Sequence, residues 1–426
     1  MKSKISIQNV AVTKQCIDVT YTYTSGLQSY FHIENNVFRT EYSIPLQGLP
    51  ESVAVIPFIV NILPIIWLTD AILEVPRLDR SFYQSIEKFK QGYISMYPQM
   101  KFTGEIHVAK VETNVNRNKG NQTVGTFFSG GVDAFATLFA HIHERPLLIT
   151  LQGSDIELED EDGWKNVSGH VTQTADMFDL ECVFVKTNFR SFINERKLNC
   201  LVKNSGDGWW HGFQHGIGLL GHGAPIAYLK GLKCIYIASS YTPKDNVTCA
   251  SHPSIDNCVE FCNCHIIHDQ YEYSRQEKIE HICQYIQSTK YEITLRVCWD
   301  SRGGRNCCAC EKCYRTIAGL LAEGVDPEKY GFKGISTKYE RIKDDILKRF
   351  IFMDMHIPYW KDIQRRCVEN RRNIHLPQEM DWIYDYNFDH VNMTFSKQLK
   401  INYQKTRSLL SKIKHTAVSY THLTLP

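Results

Sequence analysis

The sequence predicts an α/β protein. It is a doubly wound parallel sheet preceded by an α+β N-terminal domain and followed by a four-cysteine module and a helical C-terminal region. Three observations predict it. From Thr123 onward, short β-type runs alternate with longer amphipathic stretches, the pattern of βαβ units. Before residue 118 the apolar runs are short and alternating, as in half-buried strands. Cys298, Cys307, Cys310 and Cys313 crowd together, and after Phe332 the chain reads as helical and rich in Tyr, Trp and charge.

In chain order, Ile5–Val12, Ile17–Thr24 and Tyr30–Ile33 read as strands. Ser52–Leu68 is strongly apolar but contains Pro57, Asn61 and Pro64 and only matches the shortest membrane spans, so it reads as a buried strand or helix. A helix is expected over Ser81–Tyr97 and a strand over Glu105–Val111. Asn114–Asn121 is polar and basic and reads as a linker, closing a domain of residues 1–118. The next domain, 119–330, carries strand candidates Val124–Phe128, Leu147–Leu151, Cys182–Thr187 and Lys233–Ala238. Helical stretches Phe135–His143, Trp164–Phe178 and Gly212–Leu232 separate them. Ser129, Gln152, Asn188 and Ser239 each follow a strand end, where ligands of such sheets sit. A helical region covers 331–416. Ala417–Pro426 shares no pattern with what precedes it and reads as a non-native read-through tail, outside the fold.

At 426 residues the chain is too long for one small core. Hydrophobic and charged contents of 43% and 22% fit a soluble globular protein, and a net charge of +2 gives no argument for non-specific nucleic-acid binding. Met1–Val10 lacks the apolar core of a signal peptide, so the expected compartment is the cytoplasm. There, fifteen cysteines are more often metal ligands or buried thiols than disulfides, and the sequons at Asn166, Asn246 and Asn392 carry no weight.

Ser129-Gly-Gly-Val-Asp-Ala134 lies between a strand and a helix. A glycine pair at such a turn lets backbone N–H groups approach a ligand with no Cβ in the way. The helix N-terminus adds unpaired donors and a positive dipole end, so the corner suits an anion, above all phosphate. The cysteines follow C-x8-C-x2-C-x2-C, a spacing that can close a tetrahedral Zn²⁺ site, with an iron–sulfur cluster as the alternative thiolate site. Arg302 and Arg305 flank it, and Cys308 could replace Cys307 as a ligand. With four sulfurs on the metal no water is activated, so its role is structural.

The hexapeptide resembles the SGGxDS signature of the PP-loop ATP pyrophosphatases, whose fold is a parallel α/β sheet. That group includes GMP synthetase, asparagine synthetase, tRNA thiolation enzymes and 7-cyano-7-deazaguanine synthase. The resemblance implies ATP binding and adenylation of a substrate oxygen with release of pyrophosphate. It implies that Ser129, Gly130, Gly131 and Val132 wrap the terminal phosphates. Asp133 would organise the loop and its Mg²⁺, so Ser129 and Asp133 are the catalytic candidates. Ala134 departs from the pattern, which has a serine there; losing one hydrogen bond to a charged phosphate costs roughly 1.5–3 kcal/mol.

The downstream cysteines resemble the zinc site of the 7-cyano-7-deazaguanine synthase-like proteins. A third likeness lies between: Ala238-Ser-Ser-Tyr-Thr and Ser251-His-Pro-Ser-Ile-Asp256 resemble that family's strand end and substrate loop. It implies that His252, Pro253 and Asp256 line the substrate side. The likeness runs from about Thr123 to Gly319 and is closest to longer, uncharacterised members.

The remaining candidates have two readings each. Cys258, Cys262, Cys264 and His265 suit a second metal, a sulfur-carrying thiol or buried thiols. His211 and His215 read as structural or ligand-facing, since Gly212 stands where a zinc protease has Glu. Trp209 and Trp210 suit purine stacking or plain packing. Asp155 and Glu157 could hold Mg²⁺ or an amine, and Lys186 and Arg190 could neutralise pyrophosphate; all four also fit ordinary surface charge. Gly216, Gly218 and Gly221 fit GxGxxG but follow no β-run, so they do not mark a dinucleotide site. Lys397, Lys400, Lys405, Arg407, Lys412 and Lys414 form a basic stretch suited to a solvated helix face or to RNA.

The sequence therefore leads to the expectation of an enzyme that takes ATP, Mg²⁺ and Zn²⁺. It would adenylate a carboxyl or carbonyl oxygen of a small, deazaguanine-like acid for attack by an amine or ammonia, and a homodimer is compatible with this. The alternatives are an RNA thiolation enzyme and a nucleotide-binding interaction protein that has lost turnover through Ala134.

Overall fold

Eleven strands form a single sheet in a computed structural model that describes residues 2–32, 36–115, 123–289, 291–298, 303–393 and 397–398. The strands are β1 (Lys4–Val12), β2 (Cys16–Tyr23), β3 (Val37–Tyr42), β4 (Ile72–Asp79), β5 (Glu105–Glu112), β6 (Val124–Phe127), β7 (Leu147–Gln152), β8 (Cys182–Thr187), β9 (Cys234–Ala238), β10 (Glu260–Phe261) and β11 (Cys264–Asp269). Their order is β10-β11-β9-β6-β7-β8-β3-β2-β1-β4-β5. The run β11-β9-β6-β7-β8 is parallel throughout. Counted from β6 it has the order 3-2-1-4-5, that of doubly wound sheets, whose topological switch point lies between the first and fourth strands. Here those are β6 and β9.

The chain divides into two compact units. The first comprises Met1–Thr289 with Ile293–Arg305, so it holds both the early strands and the parallel ones. They join edge to edge, β3 pairing antiparallel with β8. The segment read as a linker, Asn114–Asn121, thus connects two parts of one sheet; its residues 116–121 lie outside the described residues. The core of this unit gathers around the helix Ile56–Leu68, buried from Ile56 to Trp67. Its Asn61 is satisfied there, giving Nδ2–H to the Pro57 carbonyl (2.9 Å) and accepting from Gln214 (2.8 Å). Such pairing removes most of the cost of a buried amide. Among the described residues, no helix is long and apolar enough to cross a membrane.

Most expected elements are present. The sequence reading does not place the strands Val37–Tyr42, Ile72–Asp79, Glu260–Phe261 and Cys264–Asp269 or the helix Arg275–Thr289. The expected helical stretch Gly212–Leu232 is divided into His215–Leu220 and Gly223–Lys230. Tyr30 ends a 3₁₀ turn, Ser25–Tyr30, and Phe31 makes only an isolated bridge to Ile193. Phe31 instead stacks on Tyr23 at 4.9 Å, so the aromatics that look β-like in sequence are packing residues. The third strand is Val37–Tyr42, and Ile33 lies outside the described residues. The strand Ile72–Asp79 has no counterpart in the sequence reading because Pro76 interrupts its pattern. Pro76 falls beyond the Ile72–Glu74 stretch that pairs with β1, so its missing N–H costs no bond to that neighbour.

The second unit comprises Lys290–Glu292 with Asn306–Pro426. Its described elements are helical, with Glu311–Ala322 and His356–Asn370 the longest. Trp360 is buried between Phe352, Trp382 and Phe388, and its Nε1–H reaches Glu311 at 2.9 Å. Lys397, expected on a solvated or RNA-facing helix, is fully buried and donates to the carbonyls of Ile346 and Val391, both at 2.6 Å. Lys400, Lys405, Arg407, Lys412, Lys414 and the tail Ala417–Pro426 lie outside the described residues.

Candidate functional site

β6 ends at Phe127, and the helix Val132–Ala140 starts with Gly131 as its N-cap. Gly130 between them has φ +75°, a left-handed conformation that glycine adopts without strain. A Cβ there would lie 2.5 Å from the Nε2 of His170. The loop carbonyls are taken by protein donors: Thr150 Oγ1 donates to Phe128 (2.6 Å), Arg296 Nε to Ser129 (2.9 Å) and Arg296 N to Gly130 (2.7 Å). Among the described residues, no backbone carbonyl accepts from the N–H groups of Gly130, Gly131 or Val132. The corner is therefore a set of open donors backed by a helix N-terminus.

Cations converge on this corner. Arg275, nine-tenths buried on the helix Arg275–Thr289, donates Nη1–H to Asp133 Oδ2 at 2.9 Å. One turn on, Lys278 is buried, stands 3.7 Å from Asp133 Oδ1 and gives a proton to the Ser239 carbonyl at 2.7 Å. Burial lowers the Lys278 pKa, opposed by the charge of Asp133. Ser239 follows the end of β9, so Asp133 and Lys278 tie together the two strand ends that flank the switch point. His170 Nε2 is buried and has no hydrogen-bond partner, and burial together with Arg296 lowers its pKa to about 4. Neutral at physiological pH, that imidazole can donate to an anion. An orphaned donor beside a glycine that admits no Cβ is a physical fit for a phosphate-bearing ligand.

The expected residues are placed as follows. Ser129 is exposed at the loop tip, and Ala134 is buried in the first turn of the helix. Asp133 is committed to Arg275 and Lys278, so its carboxylate is engaged with two cations where the resemblance implies a partner of Mg²⁺. His252 caps the short helix Pro253–Asp256, with Nδ1 beside Ser254 and Nε2 3.3 Å from Tyr271 Oη. His252 and Pro253 are half-buried. Asp256 is fully buried beneath them, accepting from Ser251 Oγ and pairing with His268 Nδ1, both at 2.8 Å. It braces the substrate-loop candidate from below rather than lining a surface.

Trp209 is buried core, its Nε1–H bonded to Gln214 and its ring stacked on Phe213. Trp210 lies under the Arg190 guanidinium at 4.1 Å, and Arg190 also pairs with Glu195. Asp155 is exposed and acts electrostatically on Arg296; Glu157 and Lys186 are exposed. Arg275, Lys278, Arg296 and His170 were not singled out in the sequence. Each lies far along the chain from the glycine pair, and no local spacing marks it.

The sulfurs of Cys298, Cys307, Cys310 and Cys313 lie within 4.8 Å of one another, and together they could hold a metal ion such as zinc. Cys307 and Cys313 are 3.8 Å apart, matching the edge of about 3.8 Å that a tetrahedron with Zn–S bonds of about 2.3 Å requires. Backbone N–H groups of Ala309 and Cys313 point at the sulfurs of Cys307 and Cys310, both at 3.4 Å, and Cys310 caps the helix Glu311–Ala322. Cys308 turns its sulfur to the Asn306 carbonyl at 3.9 Å and does not substitute for Cys307. Arg305 is exposed, and Arg302 lies outside the described residues. Cys262 and Cys264 are buried with their pKa values pushed up by desolvation, as inert thiols are. Among the described residues, no second group of metal-ligating side chains occurs.

No family model, no curated protein and no solved structure matches the chain.

Proposed function

We propose that this chain is an ATP-dependent enzyme of the PP-loop type. In this reading the loop Ser129–Asp133 binds the terminal phosphates of ATP, and a carboxyl or carbonyl oxygen of a small acid attacks the α-phosphorus. The bond to pyrophosphate breaks, the substrate becomes an adenylate, and an amine or ammonia then displaces AMP. The observation that carries this reading is the convergence at the β6–β9 switch point. There, open N–H groups of Gly130, Gly131 and Val132 meet an orphaned His170 donor and the cations Arg275, Lys278 and Arg296.

In this account Asp133 acts by holding Arg275 and Lys278 in place, so that their charge is fixed before the phosphates arrive. Preorganised cations and N–H donors are what phosphoryl chemistry asks of a protein. Mg²⁺ enters with the nucleotide, and no step is assigned to a protein ligand of it. Zinc in the cysteine cluster has a structural role, fixing the start of the helix Glu311–Ala322 through Cys310. The substrate class that the resemblance suggests is a deazaguanine-like acid. Incubation with ATP, Mg²⁺ and a panel of such acids, with AMP resolved from ADP, tests the reading: AMP with pyrophosphate supports it, and ADP alone removes it.

A further inference from the structure

Cys249 lies outside the phosphate corner, and its surroundings are those of a nucleophile. It is 3% exposed, yet it is not an inert buried thiol. His211 and His215, on consecutive turns of Trp210–Gln214 and His215–Leu220, both stand at its sulfur and favour the thiolate. His211 is itself held: its Nδ1 is 2.9 Å from Asp207 Oδ1 and its Nε2 is 3.0 Å from Tyr241 Oη. Asp207 is fixed in turn by the Tyr97 hydroxyl at 3.0 Å and by the Gly208 N–H at 2.8 Å. The Ser251 N–H points at the sulfur at 3.4 Å, and Ala250 N donates to the His211 carbonyl at 2.8 Å. Tyr93 is the other titratable group facing the sulfur.

The consequence is an ion pair. The Cys249 pKa falls to about 6, the two histidines outweighing burial. The His211 pKa rises to about 10, through Asp207 first and Cys249 second. Imidazolium and thiolate therefore coexist at neutral pH, with the carboxylate orienting the ring. This is the arrangement of a cysteine activated for attack on carbon. The side chain of His211 is about two-fifths exposed, so the pair lies at a surface.

The pair shares a sheet end with the phosphate corner. Lys278, beside Asp133, bonds the Ser239 carbonyl; Ser239 Oγ and the Tyr241 backbone bond each other; and the Tyr241 hydroxyl meets His211. We propose that Cys249 is a catalytic nucleophile that takes the acyl group from the adenylate as a thioester before the amine arrives, with His211 and Asp207 as positioning residues. This rests on the adenylation reading for its acyl donor.

The step balances without any redox partner. The Cys249 sulfur forms a bond to the carbonyl carbon, the C–O bond to AMP breaks, and AMP leaves with that electron pair as its phosphate monoanion or dianion. An amine then attacks the thioester carbon, the C–S bond breaks, and the sulfur departs as thiolate. The proton shed by the amine nitrogen passes to water, and His211 keeps its own proton throughout.

The test uses the full chain with p-nitrophenyl acetate and no ATP. Released p-nitrophenolate is followed, and the acetylated cysteine is found by peptide mass mapping. Cys200, which is exposed, is the internal reference. At pH 6 a thiol half ionised there carries over a hundredfold more thiolate than an ordinary one. Its lower basicity returns part of that advantage, leaving about a tenfold faster acetylation of Cys249. The rate rises with a midpoint near pH 6. In His211→Asn the midpoint moves up toward the ordinary thiol value of 9.0. If that variant does not fold, Asp207→Asn is read instead.

Acetylation of Cys200 ahead of Cys249 overturns the proposal, as does a pH profile indifferent to both variants. Because the probe needs no ATP, its failure leaves the nucleotide reading standing. Acetylation of Cys249 in a protein that forms no AMP would overturn the adenylate as donor.

Discussion

Replacing Asp133 with Asn keeps the shape of the side chain and removes one charge from a buried triad. Arg275 is 9% exposed, Lys278 is 1% exposed and Asp133 itself is 17% exposed, so water screens none of them well. Leaving buried cations without their counter-charge costs about 3–5 kcal/mol. For a unit of this size the urea dependence is about 3 kcal/mol per molar, so the midpoint of the first unfolding transition should fall by about 1 M. Tryptophan fluorescence reads it, since Trp67 and Trp209 are buried in the same unit. Adding Lys278→Met to Asp133→Asn should recover part of the loss, because one orphaned charge is then gone. A midpoint shift below about 0.2 M, with no recovery in the double variant, would refute the reasoning. The pair would then be behaving like the exposed ion pairs that contribute about 0–1 kcal/mol.

Gly130→Ala should lose about 1–2 kcal/mol from the left-handed backbone alone, plus the clash of its Cβ with His170 at 2.5 Å. Isothermal titration should show ATP binding weakened at least tenfold; unchanged binding would take the loop out of the site. Dialysis against a strong chelator should release about one metal ion per chain by elemental analysis and lower the melting temperature of the helical unit, with Cys310→Ser giving the same two results.

Acid should destabilise the sheet unit through two histidines. His170 and His222 are both depressed to about 4 by burial, and the unfolded chain has them near the ordinary 6.5. Between those values the unfolded state binds more protons, so this stability is present above pH 6.5 and is lost as pH falls through 4. Urea midpoints at pH 7 and pH 5 check the sign, and His170→Asn should flatten the difference.

Much of the sheet was legible in the sequence because its parallel strands are short apolar runs separated by amphipathic helices. Val124–Phe127, Leu147–Gln152 and Cys182–Thr187 fall where that alternation puts them. The glycine corner was legible for the same reason, since a strand, two glycines and a helix are adjacent in the chain. Its electrostatics were not. Arg275, Lys278 and Arg296 reach the loop from residues more than a hundred positions away, and only the folded sheet brings them there. The fully buried Asp256 shows the same limit. A loop likeness placed it on the substrate side, and packing sets it beneath that loop against Ser251 and His268. Conversely, Cys307 and Cys310 were legible because a metal knuckle is local, and the distances then removed Cys308.

The central claim is that ATP is cleaved between its α- and β-phosphates at the Gly130–Gly131 corner. The most direct measurement is exchange of labelled pyrophosphate into ATP by the purified chain with Mg²⁺ and a panel of small aromatic acids, run beside Gly130→Ala. The account predicts acid-dependent exchange that Gly130→Ala abolishes. ADP as the sole product, or exchange that survives Gly130→Ala undiminished, would contradict it.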